Sequence, residues 1–376
     1  MDRTGTDAHY RRLARHLDTL PGGFPATDTG VHLRILRRLF TPEEASLAVQ
    51  LTLVPEPARI IARRARLDVD EAVALLEVMA HKGLIFRVQT AHQALYQAIQ
   101  YVIGIWEFHV NDLDPDLIRD MDEYIPTLLR AEEWRRAPQL RTVPVGQSIP
   151  LDRPILPYED AVSIVRSHRR IVVAPCICRR EARMMGHGCD RPEETCLVFG
   201  GTTEYYLRNG LGRPITVEEG LQILATAEKT GLVLQPGSSQ KPGNICCCCG
   251  CCCQVLKGFK RHPQPASLVS SPFVVSLEVE ECLGCGDCVE RCQMDALSLE
   301  DGHAVSSLDR CIGCGLCVTA CPAECLHLLR KPDEAQPKVP RNSSRAYARL
   351  AWTRGKAVPL LLQVARAELD RRLARD

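Results

Sequence analysis

Residues 282–292 read Cys282-Leu283-Gly284-Cys285-Gly286-Asp287-Cys288-Val289-Glu290-Arg291-Cys292, and residues 311–322 read Cys311-Ile312-Gly313-Cys314-Gly315-Leu316-Cys317-Val318-Thr319-Ala320-Cys321-Pro322. Both follow C-x2-C-x2-C-x3-C, so the chain holds one repeat twice, with Cys282 corresponding to Cys311 and Cys292 to Cys321. Three thiols at this spacing let one tight loop wrap three corners of an iron–sulfur cube. The glycines let the backbone come close and aim N–H groups at sulfide. Zinc-binding CxxC pairs are the plainer alternative, but zinc sites do not produce this paired rhythm.

In these motifs residues 273–331 resemble the bacterial-type dicluster ferredoxins. The resemblance implies two cubane [4Fe–4S] clusters, with the fourth cysteine of each motif reaching the other cube. One cluster would be held by Cys282, Cys285, Cys288 and Cys321, the other by Cys311, Cys314, Cys317 and Cys292. Every iron is then ligated by protein, and electron transfer is the implied role. Gln293 follows Cys292 where the family usually has proline; ligation needs the thiolate, so the departure bears on the local turn. Cys325 falls opposite Ala296 in the repeat, with Leu326 opposite Leu297 and Leu328 opposite Leu299. It reads as a small core hydrophobe.

Outward from this repeat, residues 246–253 read CCCCGCCC: Cys246, Cys247, Cys248, Cys249, Gly250, Cys251, Cys252 and Cys253. Cys176, Cys178, Cys189 and Cys196 lie upstream with the spacing C-x-C-x10-C-x6-C. A packed core has no need of seven cysteines in eight positions, so a further site, a third iron–sulfur cluster or zinc, is expected from a subset of these eleven. Successive side chains diverge on a strand or a helix, so neighbouring thiolates should rarely serve one iron. They can serve different irons of an irregular cluster, or two separate centres. The upstream four can form a cluster alone or complete one with the run. Cys248-Cys249-Gly250 resembles the CCG element of heterodisulfide-reductase-type proteins, which hold a non-cubane cluster. The whole layout resembles 4Fe–4S proteins of anaerobic bacteria to which no reaction is attached.

Arg179, Arg180 and Arg183 follow Cys178. Cationic donors near a cluster would stabilise its negative charge; salt bridges to Glu181, Glu193 and Glu194 are the plainer use. His187, in Gly-His-Gly before Cys189, is a weaker ligand candidate. Tyr205 and Tyr206 read as core.

Residues 1–135 hold no cysteine and read as helical. The spacing predicts helices over 31–40, 57–65 and 69–81, the last with Val69, Val73, Leu76 and Met79 on one face. Thr41-Pro42-Glu43-Glu44 is a helix start, Gly83 a stop and LIFRV a short strand. Helix, turn, helix, strand over 31–100 resembles a winged helix-turn-helix domain. Its third helix carries Asp68, Asp70, Glu71 and Glu77, which repel phosphate. The arginines Arg59, Arg63, Arg64 and Arg66 sit on the preceding helix as a solvated basic face, and nucleic acid is not expected as a partner.

Five prolines make 136–157 an extended linker, and 263–272 reads as another. Residues 158–262 form the Cys-rich putative metal or cluster domain, a mixed one. It has a helix near 159–167, a strand at Ile171–Ala174 and a helix at 217–230, opened by Thr216 with Glu219 and stopped by Gly231. Residues 332–376 form a Pro-rich, then basic helical tail. The expected fold is α+β and multi-domain. A winged-helix-like helical domain leads, the Cys-rich domain follows, and a ferredoxin-like domain with short hairpins and two short helices closes.

Composition bounds the function. The 47 basic and 46 acidic residues give a net charge of +1, with no global pull toward nucleic acid or anionic membrane. No run of about 18 apolar residues predicts a membrane span, and MDRTGTDAHYRRLARHL has no apolar core of a secretory signal. All 20 cysteines lie between Cys176 and Cys325, and in a reducing cytoplasm such clusters mean metal or redox chemistry. No GxGxxG, Walker or flavin motif accompanies them. The expectation is a cytoplasmic iron–sulfur electron carrier acting with a redox partner protein or oxidoreductase complex. A heterodisulfide-reductase-like oxidoreductase with the Cys-rich segment as catalytic centre is the alternative, and a redox-responsive regulator a third.

Overall fold

The computed structural model describes residues 3–148 and 155–373. The chain divides into two compact units. One comprises residues up to Leu128, Glu204–Leu211 and Tyr347 onward; the other comprises Leu129–Thr203 and Gly212–Ala346. Helix and sheet are mixed, so the fold is α+β. No described helix is long and apolar enough to cross a membrane.

In the first unit, helices Arg3–Asp18, Val31–Leu39 and Pro42–Ala48 lead. Thr41 starts the third: its hydroxyl accepts the Glu44 N–H at 3.2 Å, and its own N–H donates to the Glu44 carboxylate at 2.8 Å. Then come β1 (Glu56–Pro57), helices Ala58–Ala65 and Val69–His81, β2 (Phe86–Gln89) and β3 (Ala94–Gln97), with the strands in the antiparallel order β1-β3-β2. The apolar face of Val69–His81 differs from the expected one. Leu76 and Met79 are buried, but Val69 and Val73 are 45% and 37% exposed. Ala72 and Ala80 fill the inner face instead, because small side chains let the helix approach closely. Tyr205 and Tyr206 are buried, and the Tyr205 hydroxyl reaches the carbonyls of Ala80 and Ile85 at 2.9 Å.

The basic face expected on Ala58–Ala65 is partly consumed. Arg64 is buried in ion pairs with Glu56 at 2.5 Å and Asp370 at 2.8 Å. Asp370 comes from the tail, whose helices Ser343–Thr353 and Ala357–Arg372 belong largely to this unit. Arg63 donates to the Asp370 carbonyl at 2.8 Å, and Gln363 donates to Thr19 at 3.0 Å.

The second unit holds β4 (Ile171–Pro175), β5 (Glu194–Phe199), β6 (Arg213–Ile215), β7 (Val233–Pro236) and β8 (Asn244–Cys248). They form one antiparallel sheet in the order β6-β4-β5-β8-β7. Helix Val217–Lys229 packs on β4, β5 and β7. The Thr216 hydroxyl accepts the Glu219 N–H at its start. Helix Ala161–Arg166 packs beside it.

The stretch 136–157 was expected as a linker; residues 140–145 within it are instead a buried strap. Leu140, Arg141, Thr142, Val143 and Val145 are all buried. The Arg141, Thr142 and Val143 N–H groups donate to Pro236, Ser270 and Leu234, and that of Val145 to Cys314 at 3.0 Å. Its prolines forbid a regular strand, yet the extended backbone between them spends its donors on neighbours. Residues 149–154 of that stretch lie outside the described residues. The second expected linker, 263–272, is likewise packed, with Leu268 and Ser271 buried.

Beyond it, β9 (Phe273–Leu277) pairs with β12 (Leu326–Arg330), and β10 (Leu297–Glu300) with β11 (His303–Ser306). Helix Asp287–Arg291 follows the first cysteine loop. Of the two short helices expected here, the second is absent. Residues 316–320 form turns closed by bonds such as Val318 N–H to Gly315 O at 3.1 Å. Asp287 opens the first helix as an N-terminal acid, and its counterpart Leu316 supplies none.

Candidate metal centres

The two loops and the crossing cysteines line two cavities. One is lined by Cys282, Cys285, Cys288 and Cys321. The other is lined by Cys292, Cys311, Cys314 and Cys317. Each cavity thus takes three sulfurs from one motif and the last sulfur of the other.

The surroundings fit thiolate-held clusters. Gly284 has φ +65°, and a Cβ there would lie 2.0 Å from the Gly302 carbonyl oxygen; at Gly313, also φ +65°, it would lie 2.2 Å from that of Phe273. Both loops therefore need glycine for conformation and for room. Ala304 N–H donates to Cys282 Sγ at 3.3 Å, and Ala296 N–H to Cys292 Sγ at 3.2 Å. The Ala304 bond is the main reason the Cys282 thiol sits below its ordinary value. In the second cavity burial dominates. It pushes Cys311 and Cys317 up, and Cys314 up to about 12. Such thiols keep their protons until a metal displaces them.

Cys325 occupies the expected core slot, buried with Ala296 and Leu326. It also lines the first cavity, with its sulfur 3.4 Å from that of Cys321.

The run CCCCGCCC is divided between two sulfur groups. Strand parity does the first part. On β8, Cys246 and Cys248 share a face, and Cys247 points the other way beside Leu234. Cys246 stands opposite Cys196 of β5. A chain of neighbouring sulfurs runs Cys176–Cys178–Cys253–Cys248–Cys246–Cys196. The neighbouring sulfurs raise the Cys178 and Cys248 thiols well above the ordinary range and hold Cys246 and Cys253 well below it. Cys247 joins neither group, and burial pushes it up to about 12.

After β8 the parity ends. Residues 250–252 form a turn, and Cys249, Cys251 and Cys252 gather with Cys189, all four sulfurs within 4.8 Å of one another. The neighbours Cys251 and Cys252 have sulfurs 3.8 Å apart. The expectation that adjacent cysteines diverge fails here, because it holds for strands and helices and this is neither. The upstream four also part company: Cys189 completes the turn, while Cys176, Cys178 and Cys196 belong to the sulfur chain.

The three arginines divide as well. Arg179, 1% exposed, donates to the Cys247 carbonyl at 2.9 Å and lies 3.9 Å from Cys249 Sγ. Burial lowers its pKa, but the charge interactions with the sulfurs of Cys176, Cys249 and Cys248 outweigh this, and the direction is up. Arg180 and Arg183 pair with Glu193, the plainer use. Arg191, missed in the sequence, has Nη1 3.5 Å from Cys251 Sγ while its Nε donates to Thr230 O. Its place two residues after Cys189 was the available signal. Burial pushes the Cys189 thiol up, but the Arg191 N–H, the Cys252 thiol and the Arg191 side chain outweigh it and bring it down to about 7. His187 is exposed and outside the quartet.

Gln293, the departure from proline, has a definite task. Its buried side chain accepts the Gly250 N–H at 2.9 Å. A Cβ on Gly250 would lie 2.2 Å from the Gln293 carbonyl oxygen. Gln293 also lines the second cavity. The quartet's turn therefore rests on the residue next to Cys292.

Residues 276–328 match the family described as 4Fe-4S dicluster domain. The match supports a dicluster ferredoxin-type domain in this region and, with the many cysteines, iron–sulfur cluster binding. The match spans both cavities and neither sulfur group of the Cys-rich segment. No curated protein and no solved structure matches the chain.

Proposed function

We propose that the chain is an iron–sulfur electron carrier with two [4Fe–4S] clusters and a further metal centre in its Cys-rich segment, passing electrons to a partner oxidoreductase in the cytoplasm. The observation that carries this is the pair of cavities, each lined by three cysteines of one motif and the last cysteine of the other. Cys282, Cys285, Cys288 and Cys321 would hold one cluster, and Cys311, Cys314, Cys317 and Cys292 the other. When bound, each cube takes up and returns single electrons. The chain supplies the thiolates, the N–H donors to sulfur and the exclusion of water from the second loop. The first loop is the partner-facing end: Cys285 and Leu283 are exposed there among exposed Glu280, Glu281, Asp287 and Glu290.

The oxidoreductase reading draws support from one observation, that Cys251 is exposed and so within reach of a small substrate. A regulator draws support from the winged-helix order of the first unit. Against it, the helix Val69–His81 exposes Asp70 and Glu71, and Arg64 is held internally. Nucleic acid is not part of the proposal.

The test is iron and acid-labile sulfide per chain on protein purified without oxygen. About eight irons with equal sulfide are expected from the ferredoxin-type domain, together with metal beyond them. Iron well below that count, or clusters that dithionite cannot reduce, would overturn the carrier.

A further inference from the structure

We propose that Cys189, Cys249, Cys251 and Cys252 hold a single tetrahedral divalent ion, zinc or iron, rather than a cluster. This deepens the reading above and rests on there being a metal centre in the Cys-rich segment. The distances carry it. Cys189 Sγ lies 3.9 Å from Cys249 Sγ and 3.7 Å from Cys252 Sγ, and Cys251 Sγ lies 3.8 Å from Cys252 Sγ. Four sulfurs at about 2.3 Å from one ion at the centre of a tetrahedron stand about 3.8 Å apart. Ligands of a cube bind different irons from outside and must stand farther apart. The quartet has the edge of a mononuclear site.

Charge agrees. Binding one divalent ion releases the four thiol protons and leaves a centre of net charge −2. Arg191 faces Cys251, and the buried Arg179 faces Cys249. With four protein sulfurs the centre is closed, so it does not activate water or substrate. Its work is to join. It ties the loop at Cys189 to the turn 249–252, and Gly250 in that turn is bonded to Gln293 beside the second cavity.

The experiment compares the full-length chain with Cys251→Ser, both purified without oxygen. Zinc, iron and sulfide are counted, and X-ray absorption is recorded on the unsubstituted protein at the edge of the additional metal. The expected result is one zinc or one sulfide-free iron per chain, absent from C251S, with the ferredoxin-type irons and sulfide retained. The absorption spectrum should show sulfur neighbours at about 2.3 Å and no nearby second metal. Because it needs no variant, it decides the matter even if C251S fails to fold. Loss of several irons with equal sulfide in C251S, or a metal–metal neighbour, would overturn the single ion but leave a further centre standing. No metal beyond the ferredoxin-type clusters would overturn both.

Discussion

Leu283 is 72% exposed, and its counterpart in the repeat, Ile312, is 2% exposed. The two loops share spacing, glycines and backbone conformation, yet they face different surroundings. The first leans on the tip of the β10–β11 hairpin, where Gly302 is itself exposed. The second is covered by the strap at Val145, by Ser271 and by β9, and Gln293 links it to the Cys-rich turn. The repeat therefore builds two sites of one chemistry with two exposures. Cluster potential depends on exposure and hydrogen bonds to sulfur, so two unlike stations arise from one motif. In the proposed carrier, the exposed site would exchange electrons with a partner and the buried one within the chain.

The harshest way to break this contrast is an alanine at the matched glycines. Gly284→Ala and Gly313→Ala pay the same cost in φ. They differ in what the new methyl meets: an exposed turn that can shift, or the Phe273 carbonyl in a paired strand. Both should lose iron, since each methyl meets a backbone carbonyl: G313A about four irons, and G284A fewer, because Gly302 sits in an exposed turn. Equal loss would mean that conformation alone decides and the surroundings do not. Next is the pair Ile312→Ala and Leu283→Ala. Burial predicts a loss of about 2–5 kcal/mol for the first and within about 0.5 kcal/mol for the second, read from anaerobic denaturant titrations.

Gln293 sharpens the comparison from the buried side. Gln293→Met keeps the shape and removes the acceptor, leaving the Gly250 N–H unpaired. The expected cost is about 1–3 kcal/mol, with iron and sulfide unchanged. If stability does not move, the bond is incidental and the Cys-rich turn is held by its metal alone.

The cysteine loops were legible in the sequence because ligand spacing is local: a short backbone segment wraps a cube and glycines mark its tight places. The burial of one loop and not the other was not legible, because Leu283 and Ile312 are alike as residues. What covers the second loop comes from far along the chain, partly from the strap that proline content marked as a linker, whose Val145 N–H reaches Cys314. The Cys run was half legible. That neighbours diverge was foreseen, and Cys247 does part from Cys246 and Cys248, but the strand β8 that sets this was not read from the sequence. Nor was it foreseen that β8 ends at Cys248, so that Cys251 and Cys252 turn to one side. The helix at 69–81 was placed well, but counting valines misjudged its face, since the inner contacts at Ala72 and Ala80 are made by small residues.

The smallest expected effect is electrostatic and tests which loop meets the partner. Glu280 and Glu281 are exposed beside the first loop and touch no cavity. Replacing both by lysine should leave iron, sulfide and stability as they were, since exposed substitutions away from special features change little. Surface charge acts instead on encounter, where opposite potentials speed association and like potentials slow it. With a basic haem protein as electron acceptor, the double reversal should slow transfer several-fold at low salt. The difference should vanish as salt rises, because charges beyond a screening length of about 10 Å at 0.1 M no longer steer. Glutamine at both positions should give an intermediate rate, which separates lost attraction from added repulsion. A rate indifferent to these charges at low salt would place the exchange elsewhere, and the exposure of the first loop would lose its functional reading while the buried loop kept its own.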